Sequence, residues 1–225
     1  MNPETMKTTQ NKSTEVLQDA LIVLLCAPEH DPLTRYTSRL LEDLPSLNTQ
    51  TRLHKFSKPL TYESLIEEQS IEPETDVGVV FWGHGNESSL LGPPDTSKST
   101  SMTCFYEARY VNSGPKYMLA MCCSASLGLE RAFDGCDDRA FVGFDRKIGF
   151  VLKGGAYGEW WKKVVHGCAE AVLSCKDVEE LRTTVQDVYK SALFAFQPGS
   201  KHRRYRLLMN AYLRAQLESI NFVRT

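Results

Sequence analysis

The sequence predicts an α/β fold, a mainly parallel, doubly wound sheet flanked by helices with extra helices at the carboxyl end. Three observations carry this. Runs that are apolar throughout recur at "ALIVLLCA", "DVGVVFW" and "KYMLAM", as strands buried on both faces require. Segments with apolar residues at three- and four-residue steps separate them, as the crossover helices between parallel neighbours must. After the last apolar strand the chain keeps a helical period almost to its end.

Taken in order, residues 1–17, "MNPETMKTTQNKSTEVL", are polar and read as a flexible lead-in to a single domain over 18–225. "ALIVLLCA" is eight residues long, too short to span a bilayer, and Glu15 and Asp19 just ahead of it argue against a signal peptide. It reads as a buried strand. "DPLTRYTSRLLEDL" places Leu33, Tyr36, Leu40, Leu41 and Leu44 at helical spacing, "TRLHKFS" is a second strand, and "TYESLIEEQ" opens with a helix-start Thr and an acidic first turn. "DVGVVFWGHG" holds a third strand. The following "NESSLLGPPDTSKSTS" is rich in Ser, Thr, Gly and Pro and reads as a surface loop, and "MTCFYEARYV" as a short helix. Then come the strand "KYMLAM", a helix over "ASLGLERAF", a fifth strand within "RAFVGFDRKIGFV", and three helices starting near residues 158, 177 and 202.

Composition narrows the function. The 225 residues carry a net charge of −2, so no bulk attraction draws the chain to nucleic acid or to an anionic membrane. The one basic stretch, "KHRRYRLL", reads as a solvated helix start, with Leu207, Leu208, Tyr212 and Leu213 facing the core or a partner. Seven cysteines, an odd number with no CxxC pair, suit reduced thiols in a cytoplasmic protein, and no zinc-binding spacing is present.

Chemistry collects at two strand ends. In open parallel sheets, reacting groups sit just past the carboxyl ends of strands. The third strand ends in Gly83-His84-Gly85 and the fourth in Cys122-Cys123-Ser124-Ala125. If the two strands are neighbours, an imidazole and a thiol share one crevice, the arrangement for a His-activated cysteine nucleophile. Successive strand residues alternate faces, so only one of the two cysteines can point into it. The Trp pair of "GEWWKKVVHGC" reads as helix packing and His166 as a mid-helix surface residue.

The order strand-Gly-His-Gly, loop, strand-Cys-x-Ser-Ala, helix, "FVG" strand resembles the caspase-hemoglobinase class of cysteine peptidases, nearest to its CHAT, separase and clostripain-like branches, over about residues 20–175. The resemblance implies a cysteine endopeptidase that cuts one or few protein targets without metal or cofactor. It is consistent with a role in bacterial antiviral defence or programmed cell death under an activating protein partner. It makes His84 the general base or imidazolium partner and Cys122 the nucleophile, with Cys123 in the variable position, and the amides of Gly85 and Cys122 the oxyanion hole. The family often works as a dyad, and no third acidic member is evident in the sequence. Caspases carry Gln, and many metacaspases Asp, two positions before the nucleophile; Ala120 stands there, which implies a less charged first pocket. Glu29, Asp31, Arg35, Asp145 and Arg146 are the further pocket-wall candidates. A non-proteolytic binding module on the same fold is the alternative. A glutaminase-type hydrolase is disfavoured, because its Gly-x-Cys-x-Gly elbow is missing.

Overall fold

The computed structural model describes residues 22–44, 51–97, 101–107, 114–133, 139–148, 156–174, 178–196 and 206–224. The lead-in over 1–17 and most of the basic stretch, 201–205, lie outside them. Strands β1 (Ile22–Pro28), β2 (Thr51–Phe56) and β3 (Val77–Trp82) alternate with helices α1 (Pro32–Glu42) and α2 (Tyr62–Glu68). A small antiparallel ribbon follows, of β4 (His84–Gly85), β5 (Ser89–Pro94) and β6 (Met102–Glu107). Next come β7 (Tyr117–Met121), two 3-10 turns over 125–132, and β8 (Ala140–Phe144). Helices α3 (Ala156–Ser174), α4 (Val178–Phe194) and α5 (Arg206–Glu218) precede a last strand, β9 (Ile220–Arg224).

The main sheet has the order β2-β1-β3-β7-β8-β9, parallel except for β9, which runs antiparallel to β8. The expected α/β architecture is therefore present. All six residues of β3 and all five of β7 are buried, which is why they read as unbroken apolar runs. Their side chains divide between two cores. One face carries Val80, Trp82, Leu119 and Met121 against α1, α3, α4 and α5. The other carries Val79, Phe81, Met118, Ala120 and Cys122 against α2, the 3-10 turns and the ribbon.

Four local expectations differ from the structure. Residues 102–107 form a strand, not a helix: Phe105 stacks on both Phe56 and Phe81 with ring centroids 5.4 Å apart in each pair, an anchorage that extended pairing with β5 makes available. Part of the expected loop, Ser89–Pro94, is the ribbon's middle strand, while 108–111 lie outside the described residues. The segment after β7 winds as two 3-10 turns meeting at Gly128, not as one helix. The helical tail ends in strand β9 on the open edge of β8.

On α5, Leu213 is buried as expected, while Leu207 and Leu208 are 78% and 70% exposed. His166 is half-buried and pins α3 to α1 by a 2.6 Å hydrogen bond to the Leu40 carbonyl. Trp161 is buried and Trp160 lies edge-on to Phe196, so the Trp pair packs helices. No helix among the described residues is long and apolar enough to cross a membrane.

Candidate active site

The strand order reverses between β1 and β3: from β1 the chain moves outward to β2, and from β3 it builds outward the other way through β7 and β8. Such a switch point opens a crevice at the carboxyl ends of the two strands. Three chemically loaded segments meet there. His30 and Asp31 leave β1, His84 and Gly85 leave β3, and Cys122 and Cys123 leave β7, the direct neighbour of β3.

His84 is held by the ribbon, where it pairs with Leu91 while Gly85 pairs with Leu90. The β4–β5 turn is closed by Asn86, whose side-chain oxygen accepts from the Ser88 amide at 2.9 Å and whose own amide donates to the Ser89 carbonyl at 3.0 Å. A residue that reads as part of a glycine-rich loop is thus fixed in a sheet.

The imidazole of His84 engages Asp31. Nε2 lies 2.5 Å from Asp31 Oδ2, with both side chains about 70% covered. The same carboxylate caps α1: its Oδ1 accepts from the Leu33 amide at 2.7 Å and the Thr34 amide at 2.9 Å, with Pro32 at the first helical position. Burial pushes the Asp31 carboxyl up, but the Thr34 and Leu33 amides and His84 outweigh it and hold it below the usual carboxylate range. An ionised carboxylate only accepts, so Nε2 of His84 carries the proton and Nδ1 is left as the basic nitrogen.

The two cysteines separate as alternation requires. Cys122 points to the ribbon side, so near Gly85 that a Cβ added to that glycine would lie 2.5 Å from Sγ. It is fully buried, and burial first, then the neighbouring Cys123, pushes its thiol well above the ordinary cysteine range. Cys123 is half-buried and turns the other way, with Sγ 3.6 Å from the Ile148 carbonyl. Among the described residues no hydrogen bond joins His84 to either thiol. Ser124, next in line, sits in the left-handed region at φ 55° and donates its amide to the Arg146 carbonyl at 3.0 Å, tying the end of β7 to the end of β8.

The pocket-wall candidates fall in several places. Ala120 is fully buried inside β7, opposite Phe81, and reaches no open surface. Asp31 is the partner of His84. Arg35 is exposed on α1, its Nε donating to the Asp31 carbonyl at 3.2 Å, and Glu29 accepts from Ser38 Oγ at 2.5 Å. Arg146 is 61% exposed and Asp145 lies 3.5 Å from it, both beside the turn that carries Ser124.

Sequence reasoning missed His30, whose side chain is buried beside His84 with ring centroids 5.2 Å apart, and the pairing of Asp31 with His84. The signal for Asp31 was present in "HDP": an acidic N-cap before Pro, directly past the carboxyl end of a buried strand. A separate cleft opens at the amino ends of the strands, lined by Glu63, Glu67, Asp76 and Lys116, at the opposite end of the sheet from His84. Comparison of the chain with protein-family models, with curated proteins and with solved structures finds no match in any of the three.

Proposed function

We propose that the chain is a cysteine endopeptidase of caspase-like type, with Cys122 as nucleophile, His84 as base and Asp31 as the acid that orients the imidazole. The observation that supports this best is the meeting, at the switch point of the sheet, of an Asp-oriented His84 and a Cys122 thiol packed on the adjacent Gly85. Asp31 holds the Nε2–H tautomer, so the free Nδ1 is the nitrogen that takes the thiol proton. The thiolate attacks a peptide carbonyl carbon, backbone amides of Gly85 and Cys122 receive the oxyanion, and Nδ1 returns its proton to the leaving amine. Water then hydrolyses the thioester, freeing the acid and the thiol. The substrate is a protein strand or loop, the setting cytoplasmic, and a protein partner serves as activator, with antiviral defence or programmed cell death as the process.

A second reading, a non-proteolytic binding module, is favoured by one observation: the Cys122 thiol is buried, protonated and unconnected to His84 in this conformation. The two readings separate in one experiment. Wild type, Cys122→Ala, Cys123→Ala and His84→Ala are each incubated with candidate partner proteins, and new termini are mapped by mass spectrometry. The peptidase reading expects cleavage by wild type and Cys123→Ala only. Cleavage that survives Cys122→Ala and is lost in Cys123→Ala moves the nucleophile by one residue. Partner binding that is equal in all four, with no cleavage, selects the binding module.

A further inference from the structure

Apart from its contact with Asp31, His84 has a second neighbour that the peptidase mechanism leaves idle. The His30 side chain is only 8% exposed, yet neither of its ring nitrogens has a hydrogen-bond partner. Its Nε2 is 3.4 Å from Asp31 Oδ2, without hydrogen-bond geometry, and that oxygen also faces Nε2 of His84. One ligand atom from each of His30, Asp31 and His84 lies within 4.8 Å of the other two. A buried, unpartnered imidazole directed at a carboxylate that already holds a second imidazole is a donor set lacking its acceptor.

We infer that His30, Asp31 and His84 form a binding site for a divalent transition metal of the zinc type. Two imidazoles and one carboxylate suit zinc and its neighbours, and disfavour calcium or magnesium, which take all-oxygen shells. Zinc bonds of about 2.0–2.2 Å place tetrahedral ligand atoms roughly 3.3 Å apart. The His30–Asp31 separation of 3.4 Å already meets that, and the His84–Asp31 contact of 2.5 Å opens by a small turn of the His84 ring, which leaves the capping bonds of Asp31 in place. Rigid supports frame the site. Asp31 is fixed by its capping bonds through Oδ1, which leaves Oδ2 for the ion, and His84 is fixed by the ribbon. A water completes the shell.

Coordination through Nε2 moves the His84 proton to Nδ1. That nitrogen then donates and can no longer accept a proton from a thiol, so bound metal and an active dyad exclude each other. This inhibitory consequence rests on the peptidase reading above; the binding of the ion does not.

The test uses the full chain and Zn²⁺ itself. Calorimetry against a competing chelator is expected to give one ion per chain for wild type, Cys122→Ala and Cys123→Ala, and an affinity lower by at least about 100-fold for His30→Ala and His84→Ala, since even the loss of a group that only orients a ligand costs about 10–100-fold. His30→Gln, with circular dichroism melts on every variant, separates loss of the ligand from loss of the fold. Co²⁺ in place of Zn²⁺ is expected to show visible ligand-field bands without a sulfur-to-metal charge-transfer band. Long-range ¹⁵N NMR is expected to show the His84 proton on Nε2 without metal and on Nδ1 with it. Wild-type affinity in a folded His30→Ala, loss of the ion in either cysteine variant, or an unchanged His84 tautomer overturns the inference. Metal binding as described in a chain that never cleaves leaves the inference standing and removes the peptidase reading.

Discussion

Replacing Gly85 with Ala tests the one contact on which the choice between the two cysteines rests. The new Cβ would lie 2.5 Å from Cys122 Sγ and 3.1 Å from Cys122 Cβ, with the Ser89 carbonyl oxygen at 3.3 Å. Ordinary non-bonded contacts begin near 3.5 Å, so the thiol or the ribbon must shift by about 1 Å. Cys122 is fully buried between the sheet and the ribbon, which makes that shift an overpacking of the core. Overpacking by one methyl costs about 1–3 kcal/mol. In a chain of this size each kcal/mol lowers Tm by about 2–4 °C, so the expected drop is about 2–12 °C. The double variant Gly85→Ala/Cys122→Ala removes Sγ, the closest clashing atom, and leaves the two milder contacts.

Its stability should therefore exceed the sum of the single effects by about 1 kcal/mol or more, a coupling within reach of a guanidinium double-mutant cycle. Gly85→Ala/Cys123→Ala should be additive, since Cys123 turns toward Ile148. Additivity with Cys122, or coupling with Cys123 in its place, would refute the assignment of Cys122 to the His84–Gly85 side of the sheet. Neither measurement needs a substrate.

Native-state labelling with iodoacetamide at pH 8, read by peptide mapping, should modify half-buried Cys123 before Cys122, because burial protects the Cys122 thiol and keeps it protonated; equal rates in the folded chain would contradict the packing described. Asp31→Ala should cost about 1 kcal/mol by loss of the α1 cap, while Asp31→Asn keeps an acceptor for Leu33 and Thr34 and should cost less; both should lose the His84 tautomer preference, seen by NMR, and if Asn retains it the carboxylate is not its cause. Burial raises the thiols of Cys26, Cys122 and Cys168, the last to about 12. A folded-state pKa raised above the unfolded value of about 8.5 gives stability that is full below that pH and is lost as pH rises. The guanidinium midpoint should thus fall between pH 8 and 10 under reducing conditions, and a flat or rising midpoint would contradict the burial of these thiols.

What the sequence made legible follows from which signals are local. Strands β1, β3 and β7 are buried on both faces, so each is written as an uninterrupted apolar run, and the parallel order of β1, β2 and β3 follows from the helical segments between them, whereas the described chain joins β3 to β7 through the ribbon. The ribbon was illegible because β5 reads "SLLGPP" and its strand character comes from pairing with β4 and β6, contacts set by tertiary packing. Strand β9 is hidden for a similar reason: five residues at the end of a helical segment become a strand only because β8 offers an open edge. At the site, alternation along β7 already required the two cysteines to part. The link from Asp31 to His84 spans 53 residues and depends on β1 and β3 being adjacent at the switch point, which no spacing within either segment encodes.

In this conformation the placement of proton and thiol works against attack on a carbonyl. Nucleophilic attack needs a thiolate beside an imidazolium, and each unit by which burial raises the thiol adds about 1.4 kcal/mol to the cost of forming that pair. Asp31 meets only half of the requirement: it fixes the tautomer of His84, but the thiol gains nothing until water or the imidazole reaches it. The turn after Cys122 is itself held in place. Ser124 occupies a left-handed conformation at φ 55° and is tied through its amide to the Arg146 carbonyl beyond β8. Such a backbone costs an L-residue about 1–2 kcal/mol and persists only while its surroundings hold it.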